Sequence, residues 1–559
     1  MTTTLVGVDV GGTFTDLVLM DEQSGDVRIA KVPTTVRNQA DGVLAALGEA
    51  GVRPAEVAVL VHGTTTATNA LLERKGAVTG LITTAGFRDV LELGRRTRPT
   101  AYGLKGTFEP LIPRDLRTEV TERIDAEGQV VTALDEAAVA RAAERLRAAG
   151  VEALVVHFIH AYANPVHERR ASEIARAVWS NPYVTAGAEL LPEYREYERG
   201  TTAAINGYVQ PVIDRYLGCL AAELARGGYR RELLVMQGNG GTMSVDVATR
   251  HAASTLMSGP AAGVKAAAHT ALAAGFRNVI SCDMGGTSFD VGVIRDGVPS
   301  VSADKEMGYG LPVRVPMIDI HTIGAGGGSI ARVNSAGILQ VGPESAGAEP
   351  GPICYGRGGD EPTTTDANLL LGRLNPDGLL GVDGGVRLDH VRDVFGKKLG
   401  AHLGLAPEEV AAAIVRVAND RMAGAIRLVS LQRGHDPRDF VLFAFGGAGP
   451  LHAGALAREL AIPKVLVPAR PGITSALGCL VADVRHDFVR TINQDLRRMD
   501  VDAARAVLTA QVEEGRRLLA GEGVDLGRVT VQHAADMQYV GQTHVLTVPI
   551  PRTDVDRDD

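Results

Sequence analysis

The pattern Asp-x-Gly-Gly-Thr-x-x-Asp occurs twice in this chain, at Asp9–Asp16 and at Asp283–Asp290. In the first copy an apolar approach (Leu5, Val6, Val8, Val10) meets the pair Gly11-Gly12, then Thr13, Thr15, Asp16 and a second apolar run, Leu17 to Leu19. The second copy carries Gly285, Gly286, Thr287 and Ser288 between equivalent apolar runs. Each reads as a β-hairpin with a polar turn. Two adjacent glycines let the backbone fold tightly and present N–H groups to an anion. The hydroxyls add donors, and an aspartate beside phosphate suits a magnesium ion better than the phosphate itself. Two unrelated Gly-Gly turns would not share the whole spacing. The repeat instead predicts two similar domains, each bringing one hairpin to a shared polyphosphate site.

At 559 residues the chain should divide into several domains. Its net charge of −9 is spread without long single-sign blocks, which argues against nucleic-acid or anionic-membrane partners. Four cysteines (Cys219, Cys282, Cys354, Cys479) lie far apart, so neither a zinc cage nor a disulfide framework is expected. No run approaches ~18 apolar residues and no basic, apolar leader opens the chain, so a soluble cytoplasmic protein is expected.

Along the chain, Val57 to Val61 predicts a buried strand delivering His62-Gly63-Thr64-Thr65, a turn and helix start able to bind an anion or simply to cap a helix. The basic cluster Arg95 to Thr100 reads as a solvated loop. Val151 to Ile159 predicts a strand on which His157 and His160 point to opposite faces. A long helix is expected over Thr201 to Ala222, with a first domain boundary near it. Asp319 and His321 precede the run Gly324 to Gly328 and share a strand parity, facing one ligand or metal together unless His321 is a satisfied core histidine. Gly342 to Gly359 reads as an irregular loop, and Thr363 to Asp366 as the cap of a helix. The aromatic strand Phe440 to Phe445 ends in Gly446-Gly447-Ala448-Gly449, a platform free of side chains that suits a purine or ribose. A helix near Val501 to Ala520, a strand around Gln538 to Val548 and a frayed acidic end, Asp554 to Asp559, complete the reading.

The succession of hairpin, second hairpin and glycine platform resembles the actin-like ATPase fold of sugar kinases, heat-shock ATPases and actin. More finely, Val8 to Asp16, His62 to Thr65, Asp283 to Thr287, Asp319 to Thr322 and Phe445 to His452 resemble motifs of the hydantoinase A / 5-oxoprolinase family, in family order over nearly the whole chain. The resemblance implies an α/β fold: duplicated actin-like (ribonuclease H-like) domains around a nucleotide cleft, with inserted α/β subdomains. It implies an N-terminal domain over 1–200, a second actin-like domain over 201–490, and over 491–559 the start of a C-terminal region that is either a short form or truncated beside family members.

It also implies ATP and Mg²⁺. Asp9 and Asp283 would organise the metal; Gly11, Gly12, Thr13, Thr15, Gly285, Gly286, Thr287 and Ser288 would hold phosphates; Gly446, Gly447 and Gly449 would lie at adenosine. His62, Asp319, His321 and Asp366 are candidates for orienting substrate or a second metal. The implied activity is ATP-dependent ring opening of a cyclic amide (a hydantoin, N-methylhydantoin or 5-oxoproline) in a hetero-oligomer with a hydantoinase B-type subunit. The same motifs occur in ATP-using subunits of ketone carboxylases, which stands as the alternative. A non-catalytic actin-like switch is a third reading, and it leaves the motifs outside the hairpins without a purpose.

Overall fold

The computed structural model describes residues 4–12, 14–35, 39–97, 102–103, 108–379, 385–524, 526–542 and 544–551. Thr13, part of the Arg95 to Thr100 cluster and the acidic end lie outside the described residues.

Alternation of apolar and polar residues builds both hairpins. Val6, Val8 and Val10 are fully buried against Leu17 and Leu19, and Ile280, Cys282 and Met284 are buried against Phe289, Val291 and Val293. Strand Thr4–Val10 pairs antiparallel with Phe14–Asp21, so that Asp9 faces Asp16. Strand Val279–Met284 pairs with Phe289–Arg295, so that Asp283 faces Asp290. The turns close alike: Gly11 N donates to Phe14 O at 3.0 Å, and Gly285 N to Ser288 O at 3.2 Å.

The likeness extends to the sheets. In the first, the order is Val27–Pro33, Phe14–Asp21, Thr4–Val10, Val57–Thr64, Leu233–Met236, Thr242–Ser244. In the second it is Val298–Pro299, Phe289–Arg295, Val279–Met284, Val441–Phe445, Lys464–Leu466, with Ile320–Ile323 also paired to Phe289–Arg295. In each sheet the leading hairpin strand runs parallel to a strand that delivers a turn and a helix: Thr64 into Thr66–Leu72, Phe445 into Gly449–Glu459. The sequence duplication is therefore a structural one.

Between the helix at Thr66–Leu72 and the 31-residue helix Glu196–Arg226 lies a third, all-parallel sheet, ordered Val184–Ala186, Ala153–His157, Thr79–Thr84, Arg117–Val120. Strands Val184–Ala186, Ala153–His157 and Thr79–Thr84 are buried along their whole length, as a parallel sheet covered by helices requires. The two duplicated halves meet through helices Ser258–Ala273 and Thr474–Leu480. A Cβ on Gly478 would lie 1.9 Å from Ala262 O, and one on Gly7 would lie 2.3 Å from Ala476 O. Glycine at both positions lets the second half's last helix settle directly on the first hairpin.

Three local expectations change. The strand around Gln538 to Val548 is instead a hairpin of His533–Met537 and Leu546–Ile550, because Tyr539 to Gly541 form its turn. The first part of Gly342 to Gly359 belongs to strand Leu339–Ser345, paired with Ser329–Val333. His160 lies beyond the end of strand Ala153–His157 with φ of 61°, so strand parity does not relate it to His157. All four cysteines are free, and among the described residues no helix is long and apolar enough to cross a membrane.

Candidate nucleotide site

The duplicated hairpins bring four carboxylates together. Asp9 and Asp16 are cross-strand neighbours, as are Asp283 and Asp290, an arrangement of like charges that costs stability unless a cation compensates. Burial, then Asp16, pushes the Asp9 carboxyl up to about 7. Asp283 is raised well above the usual carboxylate range by burial, by Asp290, and by Asp9 and Asp16 of the other hairpin. Burial also raises Asp16 and Asp290. Asp9 and Asp16 of the first hairpin therefore lie within electrostatic reach of Asp283 in the second.

Lys31, on strand Val27–Pro33 beside Asp16, opposes the upward shift at Asp9, Asp16 and Asp283. Its Nζ donates to Asp16 Oδ1 at 2.5 Å and to Gly472 O at 3.1 Å, and sits 4.8 Å from the centre of the Phe14 ring. In the second hairpin Asp290 accepts from the Thr322 hydroxyl at 2.5 Å and from Ser288 Oγ at 3.3 Å. Lys305 lies close enough to lower the Asp290 pKa, and burial draws its own ammonium down to about 8. Sequence reasoning missed both lysines, because a lysine in a strand ordinarily marks the solvated face.

The surroundings of Asp9 and Asp283 are shaped by glycine. A Cβ on Gly63 would lie 2.8 Å from Asp9 Oδ1, and one on Gly259 would lie 3.2 Å away. A Cβ on Gly446, whose φ is 81°, would lie 2.2 Å from Asp283 Oδ1. Gly446 N donates to Pro471 O and Ala448 N to Met284 O, both at 2.9 Å, which fixes the platform against the second hairpin. Gly12, Gly286, Thr287 and Gly447 are exposed, and a Cβ on Gly12, Gly285 or Gly447 would meet open space. Gly449 opens the following helix, against Cys282 O. Thr15 is fully buried and its hydroxyl lies 3.2 Å from that of Thr34, so it faces the core.

The donor set suits a magnesium ion carried by a nucleotide. Asp9 Oδ1 is buried without a hydrogen-bond partner, and the carboxylates outnumber the cation between them. Among the described residues no three His, Cys, Asp or Glu side chains gather as a metal cage. Mg²⁺ characteristically takes one or two carboxylates with the balance from phosphate and water.

The remaining candidates lie around this centre. His62 is fully buried, with Nε2 2.7 Å from Tyr216 Oη and Nδ1 unpartnered; burial holds its pKa down to about 3, so it is neutral. Asp319 falls between strands Met317–Ile318 and Ile320–Ile323 and pairs with Arg433, whereas His321 faces the field of Lys305 and Asp290. Asp366 is fully buried. It accepts from Ile353 N, Cys354 N, Thr363 N and Thr363 Oγ1 at 2.7–3.2 Å, closing a capping box. It stands behind the second hairpin: Thr365 N donates to Gly327 O, and Gly327 N to Gly285 O. The glycine run thus braces that turn from behind, since a Cβ on Gly326 would lie 2.4 Å from Gly286 O.

Residues 5–179 match the hydantoinase/oxoprolinase N-terminal region, and residues 199–488 match hydantoinase/oxoprolinase. The chain belongs to the hydantoinase/oxoprolinase family. It is 37% identical to the caprolactamase alpha subunit of Pseudomonas jessenii over 99% of this chain and 81% of that one. To the acetophenone carboxylase gamma subunit of Aromatoleum aromaticum it is 35% identical, over 98% and 78%. The crystal structure of the ATP-dependent caprolactamase superposes with a TM-score of 0.87 at 37% identity, over 99% of this chain and 82% of that one. A nucleotide-free structure of acetone carboxylase, a protein described in terms of ATP-dependent acetone carboxylation, gives 0.81 at 31% identity over the same shares. With both halves of the family represented, the duplicated sheets described above are the actin-like ATPase arrangement of this family.

Proposed function

We propose that this chain is the ATP-binding subunit of a two-subunit enzyme that opens a cyclic amide after phosphorylating its oxygen. The observation that carries the reading is the convergence of two glycine-turn hairpins with their paired carboxylates, in a chain 37% identical to a caprolactamase subunit. Resonance makes a lactam carbonyl a poor electrophile. Transfer of the γ-phosphoryl group forms a bond from phosphorus to the amide oxygen and breaks the one to the leaving ADP oxygen. Water then adds to the carbon, the ring C–N bond breaks as the nitrogen takes up a proton to leave an amine and an acyl phosphate, and a second water hydrolyses the acyl phosphate to a carboxylate and inorganic phosphate.

The protein's part is positioning and charge. Turn N–H groups at Gly11, Gly12, Gly285 and Gly286, with the Thr13 and Thr287 hydroxyls, would hold phosphates. Asp9 and Asp283 would hold Mg²⁺ directly or through water, and that ion when bound neutralises phosphate charge. Gly446 and Gly447 would take adenosine. Asp319 and His321, beside the second hairpin, are where a substrate group would be oriented. The hydantoinase B-type partner would complete the amide site.

A second reading is the ATP-using subunit of a ketone carboxylase, supported by 35% identity to an acetophenone carboxylase subunit. ATP turnover by the purified chain with its partner separates the two. Stimulation of ADP release by lactams, hydantoins or 5-oxoproline is expected. Stimulation solely by ketone with bicarbonate sinks the hydrolase reading. No stimulation by either class, with the partner present, leaves an actin-like switch.

A further inference from the structure

Lys31 touches both halves of the duplicated architecture. Its strand pairs with the first hairpin, in register with Asp16, and its ammonium spans from that carboxylate to Gly472 O, 441 residues further along the chain. Gly472 belongs to the turn Pro471–Ile473, whose Pro471 O receives the Gly446 N–H. Gly446 in turn lies against Asp283. A continuous path therefore runs from Asp16 through Lys31 and the Pro471–Gly472 peptide to Gly446 and the second hairpin.

Helix Thr474–Leu480, which follows this turn, already docks on the first hairpin through Gly7. Docking of small apolar residues sets the coarse position of the turn but supplies no directional force at its carbonyls. A charge-assisted hydrogen bond does. With its side chain about a quarter exposed and Asp16 less so, the pair is shielded enough for this bond to be stronger than a surface ion pair.

We infer that Lys31 is a positioning residue: it latches the first hairpin to the turn that carries the glycine platform, and so sets the separation at which the two hairpins grip one nucleotide. The effect on turnover rests on the ATP-binding reading above; the latch itself does not. The latch acts on alignment rather than on ground-state affinity, because the phosphates keep their turn N–H donors without it.

The test uses the full chain with its partner and the variants Lys31→Met, Lys31→Gln and Lys31→Arg. Lys31→Met should lower kcat for ATP hydrolysis on the order of 100-fold, the scale of a small misplacement of reacting groups. KM for ATP should stay within about threefold, and Lys31→Arg should recover most of kcat. A folded Lys31→Met or Lys31→Gln enzyme with wild-type kcat overturns the inference, as does Lys31→Arg behaving no better than methionine. Amide hydrogen exchange over residues 441–452, without nucleotide, judges the latch alone. Faster exchange at the Gly446 amide is expected in Lys31→Met, and unchanged exchange removes the latch. If the wild-type protein neither binds nor hydrolyses ATP, the ATP-binding reading fails while the exchange result still decides the latch.

Discussion

The two hairpins share a backbone and differ in how their second aspartate is compensated. Asp16 is paired with an ammonium, whereas Asp290 is held by the hydroxyls of Thr322 and Ser288. The second turn is braced by Gly326 to Gly328, and its leading aspartate lies under the Gly446 platform. The first turn is held instead by single residues of its neighbours, the Thr34 hydroxyl donating to Gly11 O at 2.9 Å and Thr65 N to Val10 O at 3.3 Å, and Asp9 faces Gly63 and the start of helix Ser258–Ala273. Duplication supplied one glycine turn twice. The second half backs its turn with a glycine run and sets Gly446 against Asp283, whereas the first half leaves Asp9 Oδ1 buried without a hydrogen-bond partner.

The most severe way to break this comparison is to remove the leading carboxylates. Asp9→Ala and Asp283→Ala should each lower ATP hydrolysis by about 100- to 1,000-fold, the usual cost of losing a preorganised charge-stabilising group. Near-normal turnover in both would remove the shared-site reading. Full activity in one alone would show that the hairpins are not functional equals.

Next come the platform glycines, which test whether the second half is the nucleoside base. Gly446→Ala forces a Cβ onto Asp283 Oδ1 at a φ of 81°. The strain is on the order of 1–3 kcal/mol, and nucleotide affinity should fall at least tenfold. Gly447→Ala meets open space in the protein, so its thermal midpoint should match wild type. Weaker binding of ADP with unchanged binding of free pyrophosphate, measured by calorimetry, would assign Gly447 to adenosine. Equal ADP binding would take the nucleoside elsewhere.

The first hairpin makes a pH prediction. Asp9 titrates near 7 in the folded chain, above the 3.8 of an ordinary aspartate. Between those values the native state keeps a proton that the unfolded chain has released, so its stability falls as pH rises, and the whole cost is present above pH 7. Asp9→Asn removes that cost. Its thermal midpoint should exceed wild type at pH 8 by an amount corresponding to about 4 kcal/mol, and the gain should shrink at pH 5. A gain independent of pH would mean that Asp9 is not a strained carboxylate.

The hairpins were legible because their information is local: alternation sets register, and paired glycines set the turn. The glycine platform and the cap at Thr363 to Asp366 were legible for the same reason. Lys31 was not, since its partner Gly472 lies far along the chain and nothing near Lys31 marks it. His62 reads as a polar residue at a turn, yet it sits inside the strand and is drawn into the core by Tyr216, from a helix that begins past Arg195. Asp319 and His321 share a parity in sequence, but the strand breaks at Asp319, where Arg433 takes the carboxylate. Such breaks depend on distant charges that periodicity does not carry. Of the inserted parallel sheet the apolar strand Ala153–His157 was legible, whereas the short strands Arg117–Val120 and Val184–Ala186, which carry polar residues, were not, and the order was not because crossover connections leave no local trace.

Asp366 tests the braced side of the comparison with the smallest expected effect on turnover. Its carboxylate already serves two loop amides and both Thr363 donors, so little of it is left for a metal. Asp366→Ala would leave buried donors unsatisfied, a loss of about 2–3 kcal/mol of stability. The loop that includes Ile353 and Cys354 should loosen first. Because Asp366 reaches the second hairpin through Thr365, Gly327 and Gly285, kcat should fall by no more than about tenfold, with the concentration of Mg²⁺ needed for half activity unchanged. An Mg²⁺ requirement raised well beyond wild type, in a variant that remains folded, would instead make Asp366 part of the metal's own environment. The brace behind the second hairpin would then be a functional extension of the site rather than its support.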